Sequence, residues 1–318
     1  MICPVCDSST SSVLLHLYDD RYGYPGKFQL LKCANCGHTF LNGAFSPDLL
    51  SNLYSNYYPR SAFSLENFKP HRELNGFLQG FMAWLEGRRS GAFCWVPANV
   101  SVLDIGCGFG ESLGYHEARG CNTWGVEADQ NIRRVADKFG FNVHVGLFDP
   151  DRYEPNFFDY VTMSQVIEHV TDPIATLRGI AKVLKPHGKV VLSTPNATGW
   201  GSTIYGRHWI NWHTPYHLQF FSVRSLTLAA EKAGLIVRSI KTVTHSKWLC
   251  YQWIHLTSWP PEGISSSFWR QPSRVGPSQL LIRKAIMATQ LLLLPQLITR
   301  VSDLIGRGDN YLIILEKK

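Results

Sequence analysis

The sequence predicts an α/β chain built on an open, doubly wound, seven-stranded sheet. A cysteine-rich segment precedes the sheet and a helical insert precedes its last strand. Three observations predict this. Val100, Val102, Leu103 and Ile105 form an apolar run of the kind that makes a buried parallel strand, and Gly106, Gly108 and Gly110 follow it directly. Beyond them, apolar runs alternate with helical stretches as far as residue 243. At the other end, Cys3-Pro4-Val5-Cys6 and Cys33-Ala34-Asn35-Cys36 form two C-x-x-C pairs with 26 residues between them.

Residues 1–45 read as a zinc ribbon. Cys3, Cys6, Cys33 and Cys36 offer four soft thiolates to one tetrahedral Zn²⁺, and such a closed set leaves no position for a reacting water, so the metal is structural. VLLHLY and FQLLKC can pair as a hairpin between the knuckles, with His38 outside the ligand set. Residues 46–95 read as an aromatic linker, Leu53-Tyr54-Ser55-Asn56-Tyr57-Tyr58-Pro59-Arg60 and His71, followed by a helix over 74–95. That helix aligns Leu74, Phe77, Leu78, Phe81, Met82 and Leu85 on one face, for packing against the main domain of residues 96–318. Strands are then expected at Thr123–Val126, Asn142–Gly146, Phe158–Ser164, Lys189–Thr194, Leu235–Val243 and Asn310–Leu315. Helices are expected at Asn131–Phe139, at Asp172–Leu184, stopped by Pro186 and Gly188, and at Ser225–Ala233.

Ligands of such sheets sit outside the carboxyl ends of the strands. A dinucleotide needs G-x-G-x-x-G, but Glu111 follows Gly110, and Asp104 and Glu111 would repel a pyrophosphate. S-adenosylmethionine carries a sulfonium, an ammonium and a ribose but no phosphate, and Glu127, closing the second strand, suits the two ribose hydroxyls. Leu103-Asp104-Ile105-Gly106-Cys107-Gly108-Phe109-Gly110 resembles the first motif of the class I S-adenosylmethionine-dependent methyltransferases. The resemblance implies a Rossmann-like sheet with an antiparallel closing strand beside the sixth. The candidate cofactor residues are Asp104, Gly106, Cys107, Gly108, Gly110, Glu127, Ala128, Phe148, Asp149 and Ser164. Family members often place an acidic residue directly after the third strand to meet the adenine amine. Here Leu147 follows Gly146 and Asp149 comes two residues later.

Glu168 and His169, in Gln165-Val166-Ile167-Glu168-His169-Val170, close the fourth strand, where an imidazole beside a carboxylate suits general-base work. Residues 200–222 then form a candidate lid, with His208, His213, His217, Trp209, Trp212 and Tyr216, whose aromatic faces would stack on a sugar or planar acceptor. One of its histidines, His217 among them, is a further candidate base. His213 and His217 lie four apart, but no nearby Asp, Glu or Cys completes a metal set. The ribbon, the Tyr-rich linker, the glycine motif, Ile167-Glu168-His169-Val170 and Pro215-Tyr216-His217-Leu218-Gln219-Phe220-Phe221-Ser222 together resemble zinc-ribbon methyltransferases of sugar and polysaccharide biosynthesis, over residues 1 to about 243. That resemblance implies methylation of a sugar, nucleotide-linked or lipid-linked, at carbon or oxygen, with Tyr57 or Tyr58, Glu168 and His169 acting on the acceptor. The sugar C-methyltransferases carry a further C-terminal α/β domain, which this length does not accommodate. A methyltransferase acting on RNA or another small molecule, and a non-catalytic S-adenosylmethionine-binding assembly module, are the competing functions. No RRM, KH or long basic–aromatic motif supports nucleic acid.

The formal net charge of +7 is uneven, with 13 Lys and Arg against 5 Asp and Glu from Arg224 onward. An anionic partner for the C-terminal part would account for it. Within the insert of residues 244–309, Leu280, Met287, Leu291, Leu294, Ile298, Val301 and Ile305 recur on one helical face, broken at Pro295 and flanked by Arg270, Arg274, Arg283, Lys284 and Arg300. Two uses fit this face over 278–305: a cap or homodimer interface buried on protein, or a peripheral membrane contact. No apolar run reaches membrane-spanning length, and Cys3 and Cys6 follow Met1 at once, so a cytoplasmic protein with reduced cysteines is expected, with the inner membrane face as a peripheral address.

Overall fold

Buried parallel strands need helices on both faces, and the chain supplies them in alternation. The computed structural model describes residues 1–58, 65, 68–70, 76–270 and 275–318. Its main sheet runs β10-β11-β8-β7-β4-β5-β6. The strands are β4 (Ser101–Ile105), β5 (Asn122–Glu127), β6 (Val143–Val145), β7 (Phe158–Ser164), β8 (Leu184–Pro195), β10 (Leu235–Thr242) and β11 (Asn310–Lys317). All pairings are parallel except those of β11, which is antiparallel to both β8 and β10. The expected seven-stranded, Rossmann-like sheet with an antiparallel closing strand is therefore present.

Leu103, Val161, Met163, Val190 and Leu192 pack at the centre with α5 (Pro173–Val183) and α7 (Val223–Lys232) against them. α5 begins where the Asp172 carboxylate accepts from the Ala175 amide at 2.8 Å, and α7 where Ser222 and Ser225 cap each other. The remaining helices of this region are α3 (Glu111–Glu117), α4 (Ile132–Phe139) and α6 (Trp200–Tyr205).

The cysteine region forms β1 (Ser11–Leu17), β2 (Phe28–Cys33) and β3 (Thr39–Leu41), the first two being the expected hairpin. Its fourth strand comes from far along the chain: β9 (Gln219–Phe220) pairs with β3 through Thr39↔Phe220 and Phe40↔Gln219. His38 lies outside the cysteine cluster, as expected, but is fully buried, with a ring nitrogen 2.8 Å from the Gln219 side-chain oxygen. Burial pushes its imidazole down to about 4.

Two expectations about helices need correction. α1 (Pro47–Asn52) starts the linker, but the helix expected over 74–95 is only α2 (Phe77–Glu86), followed by short 3₁₀ turns; Leu74, like Arg60 and His71, lies outside the described residues. α2 ends at Gly87, where φ is 72° and a Cβ would fall 2.1 Å from the Thr244 carbonyl oxygen, so only glycine closes this turn. Its apolar face is not packed away, since Phe77, Leu78 and Phe81 are exposed while Ala83 and Leu85 are buried. The insert is three helices, α8 (Ser246–Thr257), α9 (Pro277–Ala288) and α10 (Leu294–Leu304), and Leu280, Leu291, Leu294, Val301 and Ile305 of its expected face are exposed. The segment after α8 is anchored by the Tyr18 hydroxyl of the cysteine region, which donates to the Pro260 carbonyl at 2.7 Å, and α10 by Asp303, which accepts from the Thr244 amide at 2.9 Å. Among the described residues, no helix is long and apolar enough to cross a membrane.

Candidate active site

The carboxyl ends of β4 and β5 shape one crevice. After Ile105 the chain turns through glycines. Gly106 has φ 75°, and a Cβ there would meet Val166 at 2.4 Å, which fixes the turn against the exit of β7. Gly108 also has positive φ, yet nothing lies within 4 Å of where its Cβ would sit, so the loop borders open space. Across that space Glu127 accepts from the Gly108 amide at 3.0 Å and, with its other oxygen, from the Asp129 amide at 2.8 Å. Burial raises its carboxyl above the ordinary range. Exposed Ala128 follows it. These residues fit the ribose and amino-acid portions of S-adenosylmethionine: a backbone turn without side chains, and a carboxylate placed for a diol.

Several expected cofactor residues have other work. Asp104 lies beneath the crevice, nearly fully buried, accepting from Thr162 Oγ1 at 2.6 Å and from the Ser112 hydroxyl. It ties β4 to β7 and α3, and burial lifts its carboxyl to about 6. The Cys107 thiol is buried with Leu113, Ile132 and Phe141, leaving only its backbone near the loop. Gly110 begins α3 at φ 83° with Phe141 against it. Phe148 is half-buried and stacked at 6.4 Å on Tyr153, while exposed Asp149 caps the turn at Pro150 through the Asp151 amide. The Ser164 hydroxyl accepts from the Ala92 amide at 2.9 Å. An open depression of about 630 Å³ lies at the outer edge of the sheet beside Arg133, Asp137, Phe141, His144 and Val145, the last being the register partner of Glu127.

A second cluster, of aromatic and imidazole side chains, is assembled from four stretches that are distant in sequence. From the exit of β7 come Glu168, fully buried, and His169. From the lid come His213, Tyr216 and His217; from the linker, Tyr54 and Tyr58; from the cysteine region, Tyr22, edge-on to Tyr58 and Tyr216, while the neighbouring Arg21 donates to the Ile210 carbonyl and lies over Trp269. The Asp19 carboxylate positions that last loop by accepting from the amides of Arg21, Tyr22 and Tyr24 at 2.8–2.9 Å. Tyr57, a candidate from the family resemblance, packs edge-on against Tyr24 with the Arg270 guanidinium over its ring. Tyr54 is the linker tyrosine that reaches the imidazole, its hydroxyl 2.9 Å from His169 Nδ1. Tyr54 and Tyr58 lie four residues apart on one side of a helical turn, a spacing from which Tyr54 was recoverable.

The hydrogen bonds fix the imidazole tautomers. His169 Nδ1 lies 2.9 Å from the Tyr216 carbonyl oxygen, which can only accept, so Nδ1 carries the proton and Nε2 keeps a lone pair. His217 Nδ1 donates in the same way to the Asn211 carbonyl at 2.8 Å. His217 Nε2 then accepts from His213 Nδ1 at 3.3 Å, and His213 Nε2 has no partner among the described residues. Burial and the Arg21 charge hold these rings neutral, with His169 pushed down to about 4. Glu168 goes the other way. Burial raises it to about 8, Thr194 Oγ1 donates to one oxygen at 3.0 Å, and the other has no partner among the described residues. Burial thus favours its acid form at neutral pH, whereas the sequence suggested a carboxylate orienting the imidazole. The fold also brings a carboxyl to the lid histidines, which their spacing alone did not show: one atom each of Glu168, His169 and His217 lie within 4.8 Å of one another. Trp209 and Trp212, expected as stacking platforms, are buried core residues. At the N-terminus Cys3 Sγ is 3.6 Å from Cys36 Sγ and Cys6 Sγ is 3.5 Å from Cys33 Sγ, near the roughly 3.8 Å edge of a ZnS₄ tetrahedron.

A family model described as a methyltransferase domain matches residues 66–240, more than half of the chain and the whole stretch from α2 into β10. The chain belongs to this methyltransferase family. This methyltransferase uses S-adenosylmethionine. It is 28% identical over 192 residues to a ubiquinone biosynthesis O-methyltransferase of Aeromonas salmonicida, covering 56% of this chain and 77% of that one. It is 31% identical over 186 residues to the protein of that name from Pseudoalteromonas translucida, covering 54% and 75%. Among solved structures, an S-adenosylmethionine-dependent methyltransferase from Mesorhizobium loti aligns with a TM-score of 0.45 at 15% identity, over 76% of this chain and all of that one.

Proposed function

We propose that this methyltransferase methylates a hydroxyl oxygen of a small molecule held at the Tyr54–His169–His217 cluster. The observation that carries this is His169. It is neutral, its Nδ1–H is anchored on the Tyr216 carbonyl, and Nε2 is left as a lone pair. S-adenosylmethionine, when bound, supplies the electrophilic methyl group. The chain's own residues do the rest. A hydroxyl acceptor would give up its proton to His169 Nε2 as its oxygen takes the methyl group. Glu168, protonated, donates a hydrogen bond to the acceptor and so selects one oxygen. Tyr22, Tyr54, Tyr58 and Tyr216, packed against one another, exclude water and give the site the apolar lining that suits a planar or ring-shaped acceptor.

The two relatives described are named for O-methylation, and neither is named for a sugar. The O-methyl reading takes support from those names, and carbon methylation and a sugar acceptor do not. Glu127 with the Gly106–Gly110 turn would hold the cofactor, and Cys3, Cys6, Cys33 and Cys36 a structural zinc. Glu127→Ala is expected to weaken S-adenosylhomocysteine binding by roughly 10–100-fold in calorimetric titration, the loss of charged hydrogen bonds to a diol. Unchanged affinity would remove Glu127 from the cofactor site.

The acceptor assignment is tested by a panel of catechols, polyprenylated phenols and nucleotide sugars, each with S-adenosylmethionine, followed by mass spectrometry of the products. Phenolic turnover giving a methyl ether is the expected result. A product carrying its methyl on carbon, or turnover of nucleotide sugars alone, would overturn it.

A further inference from the structure

We propose that α2 and the α9–α10 hairpin form a docking surface for anionic lipid bilayers, whatever the acceptor proves to be. The turn from α9 into α10 carries four consecutive leucines, and Leu291 and Leu292 at its tip are 85% and 78% exposed. Leu297 and Leu304 continue this apolar surface along α10. α2 packs on α10, held there by Gly87 against Thr244 and Arg300, and adds Phe77 and Leu78 at 90% and 71% exposed. Single exposed apolar residues are ordinary, but four consecutive leucines at one turn, with Leu297 and Leu304 further along the same helix, mark a contact with something apolar.

Charge identifies that contact. From Gly263 to Ser302 the sequence holds no Asp or Glu. Asp303 is spent on Arg300 at 2.7 Å and Glu86 on Arg88. Arg89, Lys284 and Arg307, on or next to these helices, are exposed. Exposed leucines on the α9–α10 hairpin, where the exposed charges, Lys284 and Arg307, are cationic, suit acyl chains beneath anionic headgroups. A second copy of the chain is disfavoured on the same ground. Two-fold pairing would press like charges together, and a projecting turn offers no flat, self-complementary face.

Topology places this surface beside the site. β10 ends at Thr242 opposite Tyr311, and β11 begins at Asn310 opposite Pro195, the carboxyl end of β8. The insert therefore leaves and rejoins the sheet at its carboxyl edge. The segment after α2 reaches the same edge, where the Ala92 amide meets Ser164. A membrane-docked enzyme would hold its ligand-binding edge toward the bilayer and draw its acceptor from there.

The test is co-sedimentation of the full zinc-loaded chain with vesicles of phosphatidylcholine alone and with phosphatidylglycerol added. Binding to the anionic vesicles, weakened by salt, is expected. Leu291→Ser with Leu292→Ser should reduce it by at least about tenfold, and Lys284→Glu by about fivefold or more, both with unchanged S-adenosylhomocysteine affinity. No binding to either vesicle, or equal binding by all three proteins, would overturn the proposal. So would a dimer in sedimentation velocity that the double leucine variant converts to monomer.

Discussion

Replacing His169 by Ala is expected to lower kcat by roughly 10²–10⁴-fold while leaving S-adenosylhomocysteine affinity within about twofold, because general-base catalysis of proton removal contributes on that scale. The same residue sets the acid limb of the pH profile. An ordinary imidazole loses its base form near pH 6.5, but burial holds His169 at about 4, so kcat/KM should stay level as pH falls from 7 toward 5 and decline only below that. The alkaline limb belongs to Glu168. Its acid form is lost as pH rises through about 8, so the bell closes there, and Glu168→Gln should remove that limb while keeping much of the rate. An acid limb at 6.5, or a His169→Ala enzyme of near wild-type kcat, would exclude His169 as the base.

Stripping the zinc, or making Cys33→Ser, is expected to abolish acceptor turnover while the Glu127 crevice still binds S-adenosylhomocysteine. A four-cysteine site holds its fold through the metal, and apparent binding energies of ~10–16 kcal/mol in small zinc modules leave little structure without it. Here the loss would travel. The cysteine region lends Tyr22 to the acceptor site, fixes the lid through Arg21 on the Ile210 carbonyl and, through β3, holds the lid strand β9 in register. Cofactor affinity and turnover measured before and after chelation separate the two effects. Retained turnover in a metal-free protein would show that the region is a detachable appendage.

How much of this the sequence displayed depends on the range of the interactions. The sheet was legible because parallel strands buried on both faces read as apolar runs, and the glycine turn because its spacing is local. The acceptor site was legible only in part. Glu168 and His169 are named by their place at a strand end, but that Glu168 is neutral follows from full burial, which composition does not reveal. The family motif points to Tyr57 or Tyr58, whereas the helical turn from Leu53 to Tyr57 brings Tyr54 to the imidazole. Asp104 looked like a ligand because it sits at a strand end, and the hydroxyls of Ser112 and Thr162 claim it first. Periodicity correctly found one apolar face on α10, but it cannot say whether protein covers that face.

The strand shared between β3 and β9 also constrains how the chain is made. Thr39 must wait for Phe220, which lies 181 residues further on. At the ~5–20 residues per second of synthesis, the growing chain spends roughly 10–40 s with its first hairpin emerged and the open edge of β3 unsatisfied. Zinc captured early by Cys3, Cys6, Cys33 and Cys36 would steady that hairpin during the wait, and metal supply would then govern the yield of soluble enzyme as well as its activity.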